Sequence, residues 1–145
     1  MKINSCIHHK MILGLFALLA IGCASAQSTP AMFKVPFGFV AGRTALPAGE
    51  YLISNGPAQG TLSLRRGDDL HTIQVSAGNL EILNASRQTK LVFHRYGSRH
   101  FLSQLWIEGT NLGREIPIGR QERELAKKSA PDSMALVAVS TQAGR

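Results

Sequence analysis

The stretch Lys90–Ile107, KLVFHRYGSRHFLSQLWI, constrains this chain more than any other. Two runs rich in aromatic and β-branched residues flank Gly97-Ser98. Glycine followed by a small polar residue suits a two-residue type II′ turn, whose twist matches the strands it joins. The stretch therefore reads as a β-hairpin in which Tyr96 faces Arg99, His94 faces Phe101 and Val92 faces Ser103. Period two places Leu91, Phe93, Leu102 and Trp106 on one face and Val92, Tyr96, Phe101, Leu105 and Ile107 on the other. Both faces are largely apolar and need cover, so the hairpin belongs at the centre of a β fold.

The rest of the chain supplies that fold. Phe33, Val35, Phe37 and Phe39 alternate with Lys34, Pro36 and Gly38, which reads as one strand. Pro36 cannot donate to a ladder, so the strand should be an edge or bulged one. Ala41–Ala45 forms a turn around Gly42, and Leu46–Glu50 is a Pro-Gly turn leading into a strand at Tyr51–Ile53. Further strands are expected around Leu62–Leu64, His71–Val75, Leu80–Ile82 and Met134–Val139. Gly67-Asp68-Asp69 marks a turn, and Gly109–Gly113 a loop. One helix is expected over 119–128, ended by Pro131, with Arg120–Glu124 and Glu124–Lys128 paired along it. Ile118, Leu125 and Ala126 are its only apolar contacts, which places it on the surface of the β domain. About eight strands separated by turn signals predict a single all-β domain, an antiparallel sandwich or small barrel with one short C-terminal helix.

The first 26 residues read as a signal peptide. Met1–Lys10 carries two lysines and no acid, Met11–Ala20 is a short apolar core, and Ala24-Ser25-Ala26 offers a small-x-small cleavage site. The mature domain is then 27–145, beginning at Gln27, with no membrane span. Leu19–Cys23 offers a competing route, a lipobox in which Cys23 is lipidated; Ala20 stands where such boxes usually place Leu. Both cysteines, Cys6 and Cys23, precede the cleavage site, so the mature domain carries no thiol or disulfide. Without Lys2 and Lys10 the 16 basic residues become 14, against 9 acidic ones, for a net charge of +5. The destination is the periplasm or the exterior, or the outer membrane if Cys23 is lipidated.

Several segments together carry a resemblance. They are Val35-Pro36-Phe37-Gly38-Phe39, Leu46–Tyr51 (LPAGEY), Leu91–Gly97 (LVFHRYG), Phe101-Leu102, Trp106 and Gly113-Arg114-Glu115. The pattern resembles a group of small exported proteins from acidobacterial-type genomes. The resemblance implies export and a β-rich domain, and it supplies no catalytic residues. LPAGEY also resembles segments of many exported β-sandwich modules.

Candidate chemistry is sparse. A metal centre needs three or four ligands, and the mature chain offers His71, His94 and His100 with no cysteine. His94 and His100 fall on opposite faces of the hairpin, and Arg95 faces His100, so neither a metal nor a cofactor is expected. Ser103, His94 and Asp68 hold the residue types of a nucleophilic triad, but no G-x-S-x-G elbow marks a serine. Arg65-Arg66, Arg95 and Arg99 cluster near turns, with Tyr96, Phe101 and Trp106 beside them. Such a set can form a groove for nucleic acid, which export argues against, or for anionic glycans or a membrane surface. The candidate ligand-binding residues are His94, Arg95, Tyr96, Arg99 and Trp106, although Trp106 facing Leu91, Phe93 and Leu102 suits core packing. These features predict an exported, non-enzymatic β domain that binds an envelope protein or anionic glycan or serves as a structural part. A lipocalin-like barrel for an apolar ligand is the alternative, and a small hydrolase the third.

Overall fold

The computed structural model describes residues 30–67 and 69–138. The signal segment, Cys6, Cys23, Gln27, Asp68 and the end of the last expected strand at Val139 lie outside the described residues. In chain order come β1 (Ala31–Val35), β2 (Phe39–Ala41), β3 (Thr44–Leu46), β4 (Gly49–Asn55), β5 (Thr61–Arg66) and β6 (Thr72–Ser76). Then follow β7 (Gly78–Glu81), β8 (Lys90–Tyr96), β9 (Arg99–Trp106), β10 (Leu112–Glu115), α1 (Arg120–Ala126) and β11 (Asp132–Val137). Eleven strands among the described residues correct the expected count of about eight.

The strands form two sheets. One is antiparallel, in the order β1-β4-β5-β6. The other runs β11-β8-β9-β10-β7, with β2 lying parallel on β9 and β3 antiparallel on β2. Neither sheet closes on itself, so the barrel is excluded and a sandwich-like all-β fold remains. The Phe33–Phe39 alternation, expected as one strand, is broken at Pro36-Phe37-Gly38. Its halves join different sheets: β1 pairs with β4, and β2 with β9. Pro36 lacks the N–H that a continuous ladder would use, so the chain changes sheets there. β3 and β10 escaped the sequence reading because Thr44–Leu46 and Leu112–Glu115 are short and lack an alternating apolar face.

The core lies between the sheets. Phe33, Val35, Tyr51, Ile53, Leu62 and Leu64 come from the first sheet, and Phe39, Leu91, Phe93, Leu102 and Leu105 from the second. Phe39 joins the layers, meeting Tyr51 and Phe93 edge-on at 5.2 and 5.4 Å between ring centres. The buried Tyr51 hydroxyl donates to the Pro47 carbonyl at 2.6 Å, which ties the LPAGEY turn to its own strand.

The hairpin is β8–β9. Gly97 has φ +61°, no described residue other than glycine has a positive φ, and Tyr96 pairs with Arg99, as a II′ turn requires. The pairing His94↔Phe101 holds, but Val92 faces Gln104 rather than Ser103, because the ladder slips between Val92 and Phe93 and leaves Ser103 unmatched. One extra residue inverts every later side chain on β9. Leu105 therefore enters the core opposite Leu91, and Trp106 leaves it. This corrects the expected packing of Trp106 on Phe93 and Leu102. The indole is instead 6% exposed on the outer face, where it lies over Gly113 and donates its Nε1–H to Gln104 Oε1 at 3.0 Å. A Cβ on Gly113 would fall 2.6 Å from the ring.

Candidate functional site

Three elements meet on the outer face of the hairpin. β8 supplies His94, the irregularity in β9 supplies Ser103, and α1 supplies Glu122. His94 Nδ1 lies 2.6 Å from Glu122 Oε1, and Ser103 Oγ lies 3.2 Å from His94 Nε2. Ser103 and Glu122 are each 4% exposed, and the His94 side chain is 23% exposed. A carboxylate at Glu122 accepts from Nδ1–H, which fixes the tautomer and leaves Nε2 to accept the Ser103 hydroxyl proton. Beside the relay stands Tyr96, buried and packed edge-on against Phe101 at 5.9 Å. Burial, and then the charge of Glu122, raise the Tyr96 phenol above its ordinary pKa.

The sequence named Ser103 and His94 but assigned the acid to Asp68. The structure brings the first two together and supplies Glu122 as the acid, while Asp68 lies outside the described residues. Glu122 was hidden in a run of mixed charge. The available signal was its place three and four residues before Leu125 and Ala126, the expected inward positions. The helix is shorter than expected, Arg120–Ala126, and its inward residue is this carboxylate, with Leu125 half-buried and Ile118 and Ala126 exposed. Glu122 sits in the first turn, where the helix dipole favours an acid. On the exposed side, Glu124 pairs with Lys127 at 2.9 Å rather than with Arg120 or Lys128.

The five residues suggested as a ligand set do not converge. His94 belongs to the relay, and Tyr96 is buried beside it against Phe101. Arg95 pairs with Asp132 of β11 at 2.8 Å. Arg99 is exposed beside the turn, and Trp106 lies at the opposite end of the hairpin, closed over Gly113. The stacking groove is therefore not assembled. His100, opposite Arg95, stacks on Phe37 at 3.9 Å, and its Nδ1 is buried with no hydrogen-bond partner among the described residues. His71 meets Asp69 at 2.7 Å on the surface; the His71 backbone N–H, then its ring, lower the Asp69 carboxyl pKa. Among the described residues no three His, Cys, Asp or Glu side chains gather as a metal would need, and no helix is long and apolar enough to cross a membrane.

Concave surface lies elsewhere. A cleft of about 480 Å³ opens between the β2–β3 turn, β6 and the connection from β10 to α1. Val75, Ala41 and Ile116 are its buried apolar residues, and Arg43 is its one charged residue. No family model, curated protein or solved structure matches the chain.

Proposed function

We propose that the chain is an exported, non-enzymatic sandwich module of the cell envelope that acts by binding. The observation that supports this reading is the separation of chemistry from access. The one Ser-His-acid relay among the described residues has its serine buried, and neither Ser103, His94 nor Glu122 lines the cleft. A nucleophile must reach a substrate carbonyl, whereas this relay joins a surface helix to the hairpin through a carboxylate. The net charge of +5 after signal removal favours an anionic partner, an envelope protein or an anionic glycan. Nucleic acid is set aside because the chain is read as exported. Periplasmic or extracellular residence follows from cleavage after Ala26, and outer-membrane attachment from lipidation at Cys23.

A second reading, a small hydrolase, is favoured by the placement of Ser103 on Nε2 and Glu122 on Nδ1, the atoms a triad uses. A fluorophosphonate reagent decides between the two. The binding reading expects no labelling of Ser103, no ester turnover, and recovery of a bound envelope component by native mass spectrometry. Labelling that is lost in Ser103→Ala would replace it with the hydrolase.

A further inference from the structure

We infer that the cleft beside β6 is a binding site for a small organic anion: one carboxylate head on a short apolar body, anchored by Arg43. The inference rests on reading the chain as a binding module and names the ligand class of one site on it.

The walls are fixed by close approaches. Gly42 turns the chain from β2 to β3 at φ +61°, and a Cβ there would lie 3.1 Å from Val75 Cγ1. A Cβ on Gly119 would lie 3.0 Å from the Gly42 carbonyl oxygen. Two glycines thus hold the β2–β3 turn against β6 and against the connection to α1. At about 480 Å³ the space falls in the range of small-molecule sites, roughly 300–1,000 Å³.

Its chemistry is asymmetric. Arg43 is exposed at the rim, and no side chain among the described residues pairs with it. No acidic residue lines the cleft. An unpaired guanidinium offers a planar fork matched to a carboxylate. Behind it the floor is apolar, with Val75 and Ile116 buried and Ile118 47% exposed at the edge, while Thr44, Gln74 and Ser76 form the exposed part of the lining. An apolar body laid between Val75 and Ile116 would cover Ile118 while leaving the head on Arg43. Among the described residues β6 has only β5 beside it, so its outer edge also presents main-chain groups that no described strand takes up. A sugar acid matches the cation and the polar rim but not the apolar floor. A neutral alcohol of the same length matches the walls but not the cation.

The test is a titration of the isotopically labelled protein, followed by NMR, with octanoate, octanol and galacturonate as probes. Octanoate should shift the amides of Val75, Ile116 and Ile118, and should bind roughly tenfold or more tightly than octanol, as a charge-assisted hydrogen bond predicts. Galacturonate should bind at least tenfold more weakly than octanoate. Arg43→Gln should weaken octanoate by about the same factor and leave octanol unchanged, and Ile118→Ser should weaken both. Octanol or galacturonate binding as well as octanoate, shifts confined to other surfaces, or no binding would each overturn the assignment. The comparison of probes needs no variant, so it stands even where a variant misfolds. Failure of octanoate with Ser103 unreactive to fluorophosphonate removes this site but not the binding module. Labelling at Ser103 removes the non-enzymatic reading whatever octanoate does.

Discussion

Glu122→Ala is the sharpest perturbation of the relay. The residue is almost fully buried and its carboxylate meets His94 Nδ1 at 2.6 Å. A hydrogen bond to a charged group contributes about 1.5–3 kcal/mol net, and an orphaned buried donor costs a similar amount. The His94 side chain is 23% exposed, so water recovers part of the lost partner and the value falls to the low end, about 2 kcal/mol. The substitution also removes buried side-chain atoms, so the pair is isolated by a cycle with His94→Ala and the double variant. The expected coupling is about 1.5–2 kcal/mol, read from urea midpoints at unchanged slope. Glu124→Ala is the control on the same helix. Its pair with Lys127 is more than half exposed, so its removal should stay within about 0.5 kcal/mol. A coupling below about 0.5 kcal/mol, or a Glu124→Ala cost equal to that of Glu122→Ala, would refute the view that a carboxylate docks this helix.

Trp106→Ala should cost about 3–5 kcal/mol in unfolding, and Gly113→Ala about 1–3 kcal/mol, because its new methyl meets the indole ring. Equal stability of Gly113→Ala and the parent would place the ring elsewhere. Gly97→Ala should lose about 1–2 kcal/mol to its positive φ alone, since nothing lies within 4 Å of the added carbon, and Gly97→Asn should lose less. Tyr96 has its pKa raised in the fold, so the stability it contributes is complete below the ordinary phenol range and is lost as pH rises through the folded value. Its phenolate signal should appear at higher pH than in the unfolded chain, and Glu122→Gln should bring it partway back, burial being the larger cause. Intact-mass measurement of exported protein should give a chain starting at Gln27.

The fold was legible where the signal was local. Gly97-Ser98 predicted its own turn, and the alternation through Leu62–Leu64 and Leu91–Phe93 marked buried faces that the structure uses. It was illegible where one residue changes the register. Nothing in FLSQLW distinguishes a regular strand from one that slips at Ser103, because Leu102, Leu105 and Trp106 are apolar on either reading. The choice is made by tertiary partners: Ile116 donates its N–H to the Ser103 carbonyl at 2.8 Å, and Gly113 leaves room for the indole on the outer face. Both lie on a segment that the sequence presented as loop or its sequel.

The site lies at the same displacement. In the expected register Ser103, opposite Val92, would already share a face with His94 as its diagonal neighbour. At the slip its hydroxyl lies 3.2 Å from Nε2, and the inversion that follows places Gln104 and Trp106 on the outer face as well. A helix arriving there meets a histidine and a serine, so its inward residue is a glutamate rather than a leucine. Residue type alone could nominate Ser103 and His94, but the acid depended on which element covers the hairpin. The same reasoning separates the relay from the cleft. The relay spends its polar groups on one another, whereas Arg43 has no partner among the described residues. Groups that satisfy each other in a buried network hold structure, and an unpaired cation over an apolar floor is free to take a ligand.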